Sequence, residues 1–161
     1  MRTPLVAAVA LVVSAVALDA SAQSISVNRV EISSDAARKM VEACIAYAGR
    51  NNLLVGAAVV GIDGVLIDFH LMQGSTATNS ETAILKAKTA AHWRRPTREL
   101  EEWVKTGSNG APAWIGDFPR AGGVPIVIDG VVAGAIGIGG GGEKGDDCAQ
   151  YAIDTVIRKR P

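Results

Sequence analysis

The stretch VPIVIDGVVAGAIGIGGGG, residues 124–142, consists of two β-rich runs separated by Asp129-Gly130 and followed by a run of glycines. An Asp-Gly pair between apolar runs is the signal of a two-residue type I′ turn. Segments 124–128 and 131–138 are therefore predicted to form an antiparallel β-hairpin, and the glycines to form the exit of its last strand.

A second hairpin is predicted upstream, where Asp63-Gly64 separates the runs 54–62 and 65–72. If residue 62 pairs with residue 65, alternation assigns each side chain to one face of the sheet. One face then carries Ala58, Val60, Ile67, Phe69 and Leu71, and the other carries Ala57, Val59, Leu66, Asp68, His70 and Met72. In the 124–138 hairpin, the same rule assigns four residues to each face of the sheet. One face carries Ile126, Ile128, Val131 and Ala133, and the other carries Val127, Val132, Gly134 and Ile136.

Two helices are predicted around the first hairpin. Ser33 or Ser34 can cap a helix over 34–49, whose apolar residues recur at helical spacing up to Gly49. Thr78 and Glu81 form a capping box for a helix over 79–93, because each side chain can bond the other residue's backbone N–H. Pro96 is expected to stop this helix.

Two further helices complete the predicted fold class. Thr97 can cap a short helix to about residue 104, and acids at 146 and 147 suit the first turn of a last helix to about residue 158. No element is predicted for 108–123. The order of elements predicts an α+β domain with a central antiparallel sheet, built from the two hairpins, on which the helices pack. Since both sheet faces are apolar, any face that the helices leave open indicates a subunit interface or a ligand.

The N-terminus has the pattern of a secretory signal peptide. Arg2 precedes an apolar run over 5–18, and Ala20-Ser21-Ala22 resembles a cleavage site. Residues 1–22 are therefore predicted to be removed, which leaves 23–161 as a single domain in the periplasm or outside the cell. The apolar run is too short for a comfortable membrane span, so an exported protein without a membrane anchor is expected, and an uncleaved anchor is the alternative.

Charge and cysteine content narrow the class of protein. The chain has 16 basic and 16 acidic residues and no basic stripe with interleaved aromatics, so nucleic acid is not an expected partner. In an oxidising compartment, Cys44 and Cys148 form either one disulfide or two buried free thiols. A disulfide is feasible if the first and last helices lie side by side on one sheet face, as we predict.

The glycine-rich segment resembles a nucleotide-binding motif only superficially. Gly137, Gly139 and Gly142 satisfy G-x-G-x-x-G, but the chain ends before a second parallel strand can follow. Glu143 and the acids at 146 and 147 would also repel a phosphate. No nucleotide cofactor is expected.

Three segments in combination resemble the GlcG/HbpS family, also called the haem-degrading domain family. They are GAAVVGIDGVLIDFHLMQGS (56–75), KAKTAAHWRRPTRELEE (86–102) and AGGVPIVIDGVVAGAIGIGGGGEKGDDCA (121–149). The resemblance implies an α+β, profilin-like sandwich with a central antiparallel sheet that assembles into symmetric homo-oligomers. It also implies small-molecule tasks, since some exported members bind haem and a similar domain is attached to some cobalamin adenosyltransferases.

The leading hypothesis is an exported small-ligand-binding protein that holds haem or a related tetrapyrrole non-covalently. Covalent attachment is excluded because the chain has no C-x-x-C-H. His70 and His92 are the histidines available to haem iron. His70 is predicted to share a strand face with Asp68 and Met72, and the alternative is a polar edge strand in water.

A polar cluster on the second predicted helix is another candidate site. The spacing of Glu81, Lys88 and His92 puts them on one helix face, where they form either a site for a carboxylated ligand or a solvated, salt-bridged surface. The other candidate ligand-binding residues are Lys86, expected off this face, and Arg94, Arg95, Thr97, Gly139 and Gly140.

The sequence lacks the usual motifs of an enzyme. It has no G-x-S-x-G or H-E-x-x-H, and its two histidines cannot form a three-His metal site, so no structural metal is expected. One alternative is a cofactor-free lyase or isomerase, with Asp68, Glu81, His70 or His92 as acid or base. The other is an accessory structural subunit.

Overall fold

A computed structural model describes residues 29–157 of the chain. The predicted signal peptide and residue 158, the predicted end of the last helix, lie outside the described residues. The elements, in chain order, are α1 (Ser34–Arg50), β1 (Gly56–Gly61), β2 (Leu66–Leu71), α2 (Ala77–Trp93), α3 (Thr97–Thr106), α4 (Ala111–Trp114), β3 (Gly123–Ile128), β4 (Val131–Gly139), a turn of 3₁₀ helix (Gly142–Lys144) and α5 (Gly145–Ile157).

The predicted α+β fold class is confirmed. Both hairpins form and join into one four-stranded antiparallel sheet with the order β2-β1-β4-β3. The inner strands β1 and β4 pair from Gly56 with Gly139 to Gly61 with Gly134. Strands β2 and β3 are therefore the edges of the sheet.

The predicted face assignments fail near the turns, because each hairpin contains a bulge. In the first hairpin the predicted register holds from Gly56 to Val59, but Val60 pairs with Leu66. Leu66 therefore lies on the same face of the sheet as Val60, whereas Ile67 packs into the core on the other face. Both residues are thus on the face opposite to the one predicted. In the second hairpin Ile126 pairs with Gly134, and the register shifts after Ile126. Ile126 and Ile136 are consequently on the same face, contrary to prediction.

The two Asp-Gly turns differ. Asp129 and Gly130 both have positive φ, at 50° and 80°, as the predicted type I′ turn requires. In the first turn only Gly64 has positive φ, at 77°, so the type I′ prediction is wrong there. Gly61 N donates to Val65 O at 2.9 Å and Gly64 N to Gly61 O at 3.0 Å, which closes a three-residue loop instead.

Helices cover both faces of the sheet. Helices α1 and α5 lie side by side on one face, with the core residues Met40, Val41, Val59, Ile136 and Ile138 between helices and sheet. Helix α2 covers the other face. Cys44 of α1 and Cys148 of α5 form a disulfide with a Cα–Cα distance of 5.1 Å, which confirms the predicted arrangement of these helices.

Helix α2 packs almost directly on the backbone of the sheet. A Cβ at Gly137 would lie 2.2 Å from Ala83 O, and one at Gly139 would lie 1.9 Å from Asn79 O. The facing side chains of α2 are alanines, Ala83, Ala87, Ala90 and Ala91. Small residues on both sides therefore permit a helix-to-sheet contact closer than a layer of large side chains would allow.

Local signals at the helix ends explain the remaining differences from prediction. Ser33 caps α1 as predicted, accepting from Ala36 N at 3.2 Å. Helix α2 begins earlier than predicted, because Thr76 caps it by accepting from Asn79 N at 3.4 Å. The prediction of a capping box at Thr78 and Glu81 is thus wrong.

The start of α3 and the unassigned segment also differ from prediction. The cap of α3 is Pro96, so Thr97 is the first residue of the helix rather than its cap. Within the unassigned segment, 111–114 forms the short helix α4. Across residues 29–157, none of the helices has the length and apolar character needed to cross a membrane.

Candidate functional site

A buried lysine lies where α2 meets the glycine segment that leads into β3. Lys86 is only 8% exposed, and its Nζ donates to the backbone oxygen of Ile138 at 2.9 Å. The loop wraps closely around it, since a Cβ at Gly122 would lie 3.1 Å from Lys86 Nζ. Lys86 is off the Glu81 face of α2, as its position in the sequence predicted.

Helix α3 contributes an acidic residue to the same region. Glu101 Oε2 accepts from Ala121 N at 2.9 Å, and Glu101 Oε1 lies 3.3 Å from Arg120 Nη1 and 3.0 Å from Lys105 Nζ. Burial opposes ionisation of Glu101, but the backbone hydrogen bond and the two cations outweigh it and hold the pKa below its ordinary value of 4.5. The carboxylate therefore ties α3 to the loop.

Two further side chains fix this loop. Arg98 of α3 forms an ion pair with Asp146, which also accepts from Gly122 N. Thr97 is fully buried, donating to Arg120 O at 2.7 Å and accepting from Gly123 N at 2.8 Å. Thr97 thus anchors the chain that enters β3, whereas prediction had placed it among the ligand-binding residues.

Beside these groups lies a solvent-accessible cavity of about 310 Å³, which we call the Lys86 cavity. Its lining consists of Lys86, Arg98, Glu101, Lys105, Arg120, Ala121, Gly142 and Glu143. Burial lowers the pKa of Lys86 below its ordinary value of 10.5, while the charges of Asp146 and Glu101 oppose that shift and Arg120 adds to it. The cavity therefore contains a desolvated amine beside three other cations.

His70 lies at a second, separate site. Its strand partner is Ala57, so His70 faces α1 together with Asp68, whose partner is Val59. Both line a groove of about 320 Å³ between α1 and β2, which we call the His70 groove. The α1 side of the groove is formed by Arg38, Val41, Glu42, Ile45 and Ala46. His70 is exposed, and Met72 packs on the α1 and α5 core nearby.

His92 occupies a different environment, in the last turn of α2 and beside the Gly64 turn between β1 and β2. Its Nδ1 is 3.1 Å from Asp117 Oδ1, and the other oxygen of Asp117 accepts from Trp93 Nε1 at 2.6 Å. Asp117 thus joins the end of α2 to the segment before β3. The imidazole of His92 is half exposed.

The remaining candidates are dispersed. Glu81 and Lys88 are exposed on α2, Arg94 ends that helix with φ 53°, and Arg95 forms an ion pair with Glu99 at 3.1 Å. Because Asp68 faces α1 and Glu81 lies on α2, the sheet separates these two catalytic candidates. The proposed acid–base residues are therefore not assembled into one centre.

The space beside the two glycines that were predicted to bind a ligand is filled by other atoms of the protein. The space over Gly139 is filled by Asn79 of α2. Gly140 has φ 83°, and a Cβ there would lie 2.4 Å from Asn79 Nδ2 and 2.5 Å from Leu54 O. Their close contacts are with α2 and with the backbone oxygen of Leu54, which precedes β1. In the described part of the chain, no group of three or more His, Cys, Asp or Glu side chains could hold a metal ion.

Comparison with known proteins assigns the family. The profile described as haem degrading protein HbpS-like matches residues 32–154. The chain belongs to the HbpS-like family. GlcG of Escherichia coli strain K12 is 33% identical to it over 114 residues, which cover 69% of this chain and 83% of GlcG.

Two solved structures resemble the HbpS-like chain closely. A double mutant of HbpS from Streptomyces reticuli has a TM-score of 0.76 and 23% identity, covering 95% of this chain and 99% of that one, and supports the fold. PduOC, crystallised as a complex with haem, has a TM-score of 0.74 and 27% identity, covering 79% of this chain and 96% of that one.

Sequence reasoning missed most residues of the Lys86 cavity in this HbpS-like chain. Arg98, Glu101 and Lys105 were not singled out, although their spacing of three and four residues puts them on one face of α3. That spacing was the available signal. Arg120 carried no local signal and Asp146 indicated only the start of a helix, because the loop before β3 and the start of α5 approach α3 only in the folded chain.

Proposed function

We propose that this HbpS-like chain is an exported protein that binds haem or a related tetrapyrrole non-covalently in the His70 groove. The single observation that carries the proposal is the likeness to PduOC, whose crystal structure is a complex with haem. Membership of a family described as haem-degrading supports the same ligand class.

The residues of the His70 groove fit the chemistry of haem. An exposed imidazole is a common iron ligand, and His70 supplies one at the sheet edge. Ile45 and Ala46, which are not fully buried, offer apolar contacts to a flat ring, and the guanidinium of Arg38 can pair with a propionate. His92 is the weaker choice, because it does not line this groove and lies instead beside the Gly64 turn.

A hemin titration tests the proposal. We expect a saturable Soret band shift when hemin is added to the apo protein, and its loss or displacement in His70→Ala. His92→Ala is the matched control and should retain the wild-type spectrum. Without a saturable shift in the wild type, haem binding is refuted, and a wild-type spectrum in His70→Ala refutes the iron ligand.

The location and assembly of the protein are part of the same proposal. The signal-peptide pattern of residues 1–22 supports export, and N-terminal sequencing of protein from a periplasmic fraction should start near Gln23. Exposed apolar side chains support a homo-oligomer, since Trp114 is 89% and Ile115 is 67% exposed. An uncleaved, cytosolic product would contradict export, and the mass of a single chain in sedimentation at micromolar concentration would contradict assembly.

A further inference from the structure

Lys86 differs from the other cations of the Lys86 cavity because each of those forms an ion pair with an acid. Arg98 pairs with Asp146, while Arg120 and Lys105 pair with Glu101 at 3.3 and 3.0 Å. Lys86 Nζ donates one hydrogen bond, to Ile138 O at 2.9 Å, and within residues 29–157 no carboxylate forms an ion pair with it. Its positive charge is therefore not matched by a contacting acid.

A buried ammonium in this state is incompletely satisfied. It has three N–H donors, and a desolvated charge is costly unless it is paired and hydrogen-bonded. One backbone carbonyl uses one donor and supplies no negative charge. The depressed pKa of Lys86, caused by its burial, agrees with this lack of compensation.

The loop backbone provides space beside the amine. Gly122 has φ 117°, and a side chain there would press on Lys86 Nζ. Gly142, with φ 56°, lines the cavity, and nothing lies within 4 Å of the position of its absent Cβ. The cavity of about 310 Å³ is therefore not narrowed by a side chain at this position. This volume suits a small molecule.

We propose that the Lys86 cavity binds a small organic carboxylate, whose oxygens accept hydrogen bonds from the two remaining N–H groups of Lys86. A single negative charge matches the one unpaired cation. Glu101, Glu143 and Asp146 offset three of the four cations at the cavity, so a monoanion neutralises the remaining charge and a dianion such as phosphate exceeds it. Lys86 lies on α2, whereas the His70 groove lies across the sheet at the opposite edge, so this site is independent of the proposed haem site.

Thermal unfolding with simple anions tests the site. Acetate and propionate should raise the Tm of the mature protein saturably, beyond the effect of chloride at equal ionic strength, because they bind the native state. Lys86→Met should abolish the rise. Lys88→Met, which removes an exposed lysine from the same helix, should retain it.

A second measurement on the wild type covers the case in which Lys86→Met fails to fold. Reductive methylation, mapped by mass spectrometry, should be slowed by acetate at Lys86 and unaffected at Lys88. Equal rates with and without acetate at Lys86 would overturn the proposal, as would a Tm that carboxylates leave unchanged. A larger Tm rise with phosphate than with acetate would overturn the assignment to carboxylates.

Discussion

Replacement of Gly137 by alanine tests the close contact between α2 and the sheet. The added Cβ would lie 2.2 Å from Ala83 O and 2.4 Å from Ala87 N. Both are backbone atoms of α2, so no change of rotamer relieves the clash and the helix must lift by about 1 Å. Overpacking costs about 1–3 kcal/mol, and occasionally more, and we expect about 3 kcal/mol here because a whole helix is displaced.

Urea denaturation followed by far-UV circular dichroism measures this loss. A change of about 3 kcal/mol corresponds to a Tm lower by about 10 °C for a domain of this size. Gly49→Ala is the control, since Gly49 lies in α1 with nothing within 4 Å of the position of its absent Cβ. That substitution should stabilise the protein by about 0.5 kcal/mol. If Gly137→Ala costs less than about 1 kcal/mol, the contact is not as tight as described.

Two further predictions concern the disulfide and Glu101. The disulfide joins residues 104 positions apart and restricts the unfolded chain, so its reduction should lower the free energy of unfolding by about 4–5 kcal/mol. Urea denaturation measures this change, and a loss below about 1 kcal/mol would contradict the entropic explanation. Because the pKa of Glu101 is held below 4.5, its ionised form stabilises the fold above that pH and this contribution is lost as the pH falls through the folded value. Glu101→Gln should therefore lower the Tm at pH 7, with the difference from wild type shrinking in acid. Glu102→Gln, at an exposed neighbour, serves as the control, and a pH-independent difference for Glu101→Gln would be inconsistent with the mechanism.

The two Asp-Gly turns show how far local sequence determines a hairpin. Both dipeptides correctly mark a chain reversal, yet only Asp129 adopts positive φ. At the first turn the Asp63 carboxylate accepts from Val65 N at 3.1 Å and occupies space over Gly61, which favours the longer loop. The choice depends on side-chain contacts that the dipeptide does not specify.

Strand periodicity predicted the sheet but not its bulges. Alternation was correct wherever pairing is regular, as from Gly56 to Val59. One extra residue reverses every face beyond it, and the apolar runs of Ile, Val and Ala read equally well in either register. The sheet faces on which Ile67 and Ile126 lie could consequently be assigned only from the tertiary structure.

The candidate sites were predictable only in part. His70 and Asp68 were correctly placed on one face, because they are two residues apart on a regular part of β2. Lys86 was set apart from the Glu81 face by helical spacing, but its burial could not be predicted. That burial depends on Gly122, which the fold brings to it from a distant part of the chain.

The bond between Cys44 and Cys148 encloses both hairpins and the helices α2, α3 and α4 within one covalent ring. A single protease cut within that ring, for example beside the exposed Trp114, leaves two fragments that remain joined. The nicked molecule would migrate at full mass without reductant and separate into two bands only with it. If the chain is exported as proposed, the ring would keep the two fragments together after a first extracellular cleavage.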